Sequence, residues 1–327
     1  VTDQRPGRYC PTGYRYAPST LAREPEIRAE TLYVVGGLYG NLPALDALER
    51  LAGAERGATR IVFNGDFHWF DAELVAFAEV GRRVLAHLAL RGNVETELAA
   101  EDPAAGCGCA YPAAVGDAEV ARSNEILARL RETARRDAAQ RAVLEALPMT
   151  AAAEVGGARI GIVHGDAESL AGWGFAQDRL ADPTHVAQLA RWCEEARVDV
   201  FASSHTCLPA CRVLSTGSRG AVIINNGAAG MPNFSGTRFG IATRIATTPA
   251  PARAALYGAR IGALHVDAVR LDYHHDDWLR RFLSVWPAGS PAYESYFRRI
   301  VEGPRYELAQ ASPVPTREPR SARVVYG

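Results

Sequence analysis

The sequence has no lysine, and all 36 basic residues are arginine. Set beside the abundant alanine, this reads as a GC-rich coding bias and assigns no function. Surplus charge is missing too. The 36 basic residues face 37 acidic ones, for a formal net charge of −1, so no bulk attraction to nucleic acid or to an anionic membrane is expected. No uninterrupted apolar run approaches the ~20 residues needed to cross a bilayer. The stretch "VTDQRPGRYCPTGYRYAPST" at positions 1–20 lacks the apolar core of a signal peptide, and none is expected there. Cysteine is scarce. Cys10, Cys107, Cys109, Cys193, Cys207 and Cys211 are the six in 327 residues, too few for a disulfide scaffold. The close pairs Cys107-Gly-Cys109 and Cys207-Leu-Pro-Ala-Cys211 match no common zinc-finger spacing. Reduced thiols and a cytoplasmic location are expected. There is no internal repeat.

What is present is the composition of a globular protein, 48% hydrophobic and 22% charged, long enough for one large or two small domains. Residues 1–30 lack periodicity and are expected to form an extended arm. Strands then alternate with helices: 31–37, helix 42–52, 60–66, helix 71–80, and a strand within 82–94. That alternation predicts a largely parallel sheet covered by helices. Residues 96–118 interrupt the rhythm as an inserted loop, and a long helix is expected over 119–147. "AAAEVGGARIGIVHGD" (151–166) reads as a hairpin turned at Gly156-Gly157. After a helix at 183–196, strands are expected at 198–205, 211–216, 221–226, 239–247 and 259–273. The fold class is therefore α/β, a four-layer α-β-β-α sandwich of two mixed sheets flanked by helices. The main domain is placed at 31–275, with its insert at about 96–147. Helices at 276–285 and 292–302 and an irregular tail from Pro304 make up the segment 276–327.

Several apolar strands end in a metal-capable side chain: "IVFNGD" in Asp66, "LALRGN" in Asn93, "IGIVHGD" in His164 and "VFASSH" in His205. Strand carboxyl ends gather on one edge of a parallel sheet. One carboxylate, one amide and two imidazoles converging there suit Mn, Fe or Zn.

In this order the motifs resemble the calcineurin-like metallophosphoesterase family, over roughly residues 31–230. The family pattern runs D-x-H, G-D, G-N-H-[D/E], a lone H, then G-H-x-H. The matching stretches here are "GGLYGNLPAL", "NGDFHWF", "RGNVE", "VHGD" and "SHTC", followed by "INNGAAGMPN". The resemblance implies that Asp66, Asn93, His164 and His205 hold one divalent ion. It also exposes a loss. The family's first aspartate, first histidine and last histidine are replaced by Gly37, Tyr39 and Cys207, so the other half-site is altered. Tyr39 and Cys207 stand as additional candidate ligands of a rebuilt site. The leaving-group histidine is replaced by Val94. Glu95 is expected to orient a metal-binding histidine, and His68 and Asp166 are the candidate general acids.

The implied activity is metal-dependent hydrolysis of a phosphate mono- or diester, with one ion per chain. The alternatives are a catalytically degenerate binding protein on the same scaffold, or redox or lyase chemistry at a rebuilt site. Trp173 and Phe175, with "FHWF" (67–70), are expected to wall a pocket for a small phosphate ester with an apolar or planar portion. Arg91 and Arg238 are the candidate phosphate partners, and the insert with Cys107 and Cys109 is expected at the pocket rim. No nucleic-acid or membrane partner is expected.

Overall fold

In "TLYVV" every residue from Thr31 to Val35 is buried, which requires cover on both faces of the strand. Successive side chains point to opposite sides. Leu32 and Val34 pack with Ile160, Ile162, Val200 and Ile224 between two sheets, whereas Tyr33 and Val35 pack with Leu45, Leu48 and Phe282 from helices outside. A second outer layer forms where Phe201 meets Leu189 and Trp192. The order is thus helix, sheet, sheet, helix.

The computed structural model describes residues 4–216, 219–313 and 322–326. Its strands are β1 Ile27–Ala29, β2 Thr31–Val35, β3 Thr59–Asn64, β4 Leu88–Leu90, β5 Thr150–Val155, β6 Ala158–Val163, β7 Val200–Ser203, β8 Ala210–Thr216, β9 Arg219–Asn225, β10 Gly240–Ala246, β11 Ala255–Ile261, β12 Leu264–Leu271 and β13 Ala322–Tyr326. One sheet has the order β1-β5-β6-β7-β9-β8 and the other β13-β11-β12-β10-β2-β3-β4. Parallel pairing joins β2, β3 and β4 in one sheet and β6, β7 and β9 in the other. The helices are α1 Leu42–Gly53, α2 Leu74–Val84, α3 Asn93–Ala99, α4 Asp117–Ala134, α5 Ala138–Ala146, α6 Gln177–Ala181, α7 Val186–Ala196, α8 His275–Val285, α9 Pro291–Glu302 and α10 Leu308–Ala311. None of these is long and apolar enough to cross a membrane.

The expected sandwich of two mixed sheets is the observed one, and several boundaries differ. The helix expected over 119–147 is broken into α4 and α5, because the Asp137 side chain accepts the Gln140 N–H and starts a new helix. The strand expected over 259–273 is instead the hairpin β11–β12, turned near Gly262, whose φ of +57° suits a residue without Cβ. The N-terminal arm is tied down more firmly than an extended arm. The buried Tyr14 hydroxyl donates to Glu97 at 2.6 Å, and β1 pairs with β5. The tail expected to be irregular contains α10, and β13 pairs with β11. The rest of that expectation, over 314–321 and 327, lies outside the described residues.

Candidate metal centre

Parallel pairing sets the ends of β3 and β4 side by side, and likewise those of β6 and β7. Asp66 follows β3, Asn93 opens α3 just after β4, His164 follows β6 and His205 follows β7. The loops meet so closely that a Cβ on Gly65 would lie 2.5 Å from the Gly92 backbone, and one on Gly92 would lie 2.4 Å from Asp66 Oδ1. Glycine at both positions is a condition of the convergence.

Outer hydrogen bonds fix which atoms face inward. His164 Nδ1 lies 2.7 Å from the Asn64 carbonyl, and His205 Nε2 lies 3.0 Å from the Cys109 carbonyl. A carbonyl only accepts, so each of these nitrogens carries the proton, and His164 Nε2 and His205 Nδ1 keep their lone pairs. Asn93 Nδ2 donates to the Cys107 carbonyl at 2.9 Å, which turns Asn93 Oδ1 inward. Asn93 Oδ1 then stands 3.1 Å from His164 Nε2 and 3.0 Å from His205 Nδ1. The two inner nitrogens are 3.3 Å apart, and Asp66 Oδ1 is 3.4 Å from His164 Nε2. Four acceptors crowd one point with no donor among the neutral groups. Such a cluster repels itself unless a positive charge sits inside it.

The protonation energetics agree. Burial pushes the Asp66 carboxyl up, but His164, His205 and the Val94 N–H outweigh it and hold the pKa below the ordinary carboxylate range. Burial disfavours charge on His164, yet Asp66 beside it raises its pKa above the usual imidazole value. His205 is pushed down to about 4 by burial and by His164. The cluster therefore takes one positive centre and resists a second proton. Asp66, His164 and His205 together offer three ligand atoms within 4.8 Å of one another, and the Asn93 oxygen makes a fourth. This donor set of two nitrogens and two oxygens fits a divalent ion.

Glu95 is buried, and its carboxylate accepts the backbone N–H groups of Asp66 at 2.7 Å, Phe67 at 3.0 Å and Gly92 at 2.9 Å. It braces the two metal-site loops through their backbones, not through a histidine as expected. His68 is fully buried, with Nδ1 2.8 Å from Asp71 and Nε2 facing the Gln140 amide at 2.9 Å. Both ring nitrogens are engaged in the core. The Asp166 carboxylate accepts N–H groups from Glu168, Ser169 and Gly174 and closes its own loop. Neither His68 nor Asp166 lines the cavity described below, and the general-acid expectation for both is corrected accordingly.

The altered half is filled. A Cβ on Gly37 would lie 2.1 Å from the Tyr39 ring, so Tyr39 occupies the volume an acidic side chain at 37 would need. The Tyr39 hydroxyl and Cys207 Sγ are 2.9 Å apart. Both residues have left-handed backbone, with φ of +53° and +60°. Burial pushes the Tyr39 phenol well up and the Cys207 thiol up as well, against a lowering by Arg299. Both stay protonated, and here they form a neutral pair.

A cavity of about 290 Å³ opens over the site, with Asp66, Asn93 and His205 in its wall beside Tyr39 and Cys207. Trp69, Tyr111, Trp173 and Tyr296 give it an aromatic lining. Trp173 is held by its indole N–H on the Cys109 carbonyl at 3.0 Å. Cys109 lines the cavity, and the insert contributes two backbone carbonyls to the centre. Phe175, expected on this wall, packs instead with Trp192 and Phe201 in the core. Phe67 and Phe70 are likewise core residues. Arg91 is spent on the Glu145 carbonyl and Arg238 faces Asp276 at the surface, so neither expected phosphate partner reaches the cavity. Arg299 of α9 does. No motif marks it among 36 arginines, and only the packing of α9 beside the site distinguishes it. The boundary drawn at 275 would have separated it from the site.

No family model matches the chain, and no curated protein matches it. Solved structures do. A hypothetical protein from Pyrococcus horikoshii OT3 is similar over 84% of this chain and 99% of its own, at 15% identity and a TM-score of 0.55. A metallophosphoesterase from Sphaerobacter thermophilus is similar over 84% of this chain and 100% of its own, at 18% identity and a TM-score of 0.50. The chain has the fold of the calcineurin-like metallophosphoesterases.

Proposed function

We propose that this protein is a metal-dependent hydrolase of a phosphate mono- or diester, working with a single divalent ion held by Asp66, Asn93, His164 and His205. The observation that carries the reading is the inward-facing set of four acceptor atoms, three of them oriented from behind by the carbonyls of Asn64, Cys107 and Cys109. A divalent ion there supplies Lewis acidity toward a phosphoryl oxygen and lowers the pKa of water toward neutrality.

The chain's own residues do the rest. Asp66 contributes the anionic charge that makes the cluster selective for a cation. Glu95 holds the Asp66 and Gly92 backbones in register, so the donor atoms need not reorganise. Tyr39 stays a neutral phenol, its hydroxyl 2.9 Å from Cys207 Sγ, and forms cavity wall in place of a ligand. Trp173 and Tyr111, with ring centroids 5.9 Å apart, give a planar or apolar leaving portion a surface to pack on. A small phosphate ester of that kind is the substrate class that fits.

Protein purified without chelator and loaded with Mn, Fe or Zn should hold one ion per chain and hydrolyse a generic phosphate ester weakly. Elemental counting and a chromogenic phosphodiester assay check this, and a chain that binds no ion would remove the reading. The filled half-site favours a second reading, a binding protein on this scaffold. Ion binding without turnover on any phosphate ester would select it.

A further inference from the structure

The altered half-site has lost ligand side chains, but it has not lost positive charge. Arg299 lines the cavity together with Ser295 and Tyr296 of the same helix. Its NH2 donates to the Cys207 carbonyl at 2.9 Å and its Nε to the Pro232 carbonyl at 3.4 Å. Both acceptors are neutral, and no carboxylate pairs with Arg299 among the described residues. Glu119 also borders the cavity, but Arg122 holds it at 2.6 Å. The guanidinium is therefore half-buried, uncompensated, and anchored to the residue that stands where the family has its last histidine. A half-buried cation without a counterion beside a concave site is suited to an anionic ligand.

We propose that Arg299 supplies the charge a second ion would otherwise provide, and clamps the phosphoryl group of the substrate from the Tyr39–Cys207 side of the cavity. This rests on the phosphoesterase reading above. A two-metal centre holds a phosphoryl group from both sides. Here one side is the Asp66–Asn93–His164–His205 set, and the other is a guanidinium fixed by two backbone carbonyls. Its planar fork of N–H donors matches phosphoryl oxygens, and it needs none of the side chains that Gly37, Tyr39 and Cys207 replace.

The experiment measures the affinity of inorganic phosphate for the Mn-loaded protein by calorimetry, with metal content and melting temperature recorded in parallel. The variants are Arg299→Gln, Arg299→Lys and the neighbouring exposed control Arg298→Gln, whose parent residue pairs with Glu302. Arg299→Gln should weaken phosphate binding at least tenfold while metal content stays at one. Arg299→Lys should fall between it and the unaltered protein, and Arg298→Gln should match the unaltered protein. Equal phosphate affinity in Arg299→Gln and unaltered protein, both folded and metal-loaded, overturns the clamp and leaves the phosphoesterase reading standing. Unaltered protein that takes up metal but no phosphate overturns both. Loss of metal in Arg299→Gln would make the residue a support of the metal loops and also overturn the clamp.

Discussion

The two halves of the centre sit on the same cavity and differ in every electrostatic respect. On one side, Asp66, Asn93, His164 and His205 point acceptor atoms at a common spot, the last three set by backbone carbonyls behind them. On the other, Tyr39 and Cys207 keep their protons, the thiol donates to the His205 carbonyl at 3.3 Å while the phenol lies 2.9 Å from the sulfur, and the pair fills the space beside Gly37. The first half is built to hold a cation. The second is built to need none. The difference lies less in which residues can bind metal than in what buried neighbours do to their protonation. Asp66 stabilises positive charge beside His164, whereas burial stabilises neutral Tyr39 and Cys207.

The contrast breaks most readily at His164. His164→Ala removes a central donor and should abolish ion binding, a larger loss than the roughly 10–100-fold expected for an outer partner. Cys207→Ser should leave the ion count at one. Equal loss in both variants, by elemental analysis, would mean that the halves work as one site.

Rebuilding the second half comes next. Gly37→Asp alone should destabilise the fold by about 1–3 kcal/mol, since the new side chain is forced into the Tyr39 ring; chemical denaturation measures it. Gly37→Asp, Tyr39→His and Cys207→His together relieve the clash and should raise the ion count from one toward two, with faster hydrolysis of a generic diester. A triple variant that still binds one ion would show that the loop backbone has also been committed to the altered state.

Acid should act through one proton. An ion must displace the proton that Asp66 favours on His164, whose pKa is raised, so apparent metal affinity should fall roughly tenfold per pH unit below that pKa. His205, held down to about 4, adds no second factor until that pH is reached. Competition with a chelator from near neutrality downward checks the slope, and a slope of two would contradict the neutral state assigned to His205. The smallest effect is expected from Cys107→Ala. Only the backbone carbonyl of Cys107 serves the centre, so metal content should not change even if packing costs a little stability.

The order of strand-end motifs determined much by itself. Apolar runs closing in Asp66, Asn93, His164 and His205 imply parallel strands whose carboxyl ends share an edge, and the replacements at Gly37, Tyr39 and Cys207 could be seen because the flanking "GNLPAL" kept its register. The short apolar strand at "TLYVV" and the Gly156-Gly157 turn were equally legible, because they are local. Tertiary structure alone decided the rest. Glu95 and His68 are both chemically able to serve the site, and only packing assigns one to loop backbones and the other to Asp71 and Gln140. Trp173 and Phe175 are two residues apart in one loop, yet one faces the cavity and the other the core. Arg299 enters the site from a helix outside every motif. Side-chain direction, hydrogen-bond partner and protonation state depend on what distant segments bring alongside, and no local pattern encodes that.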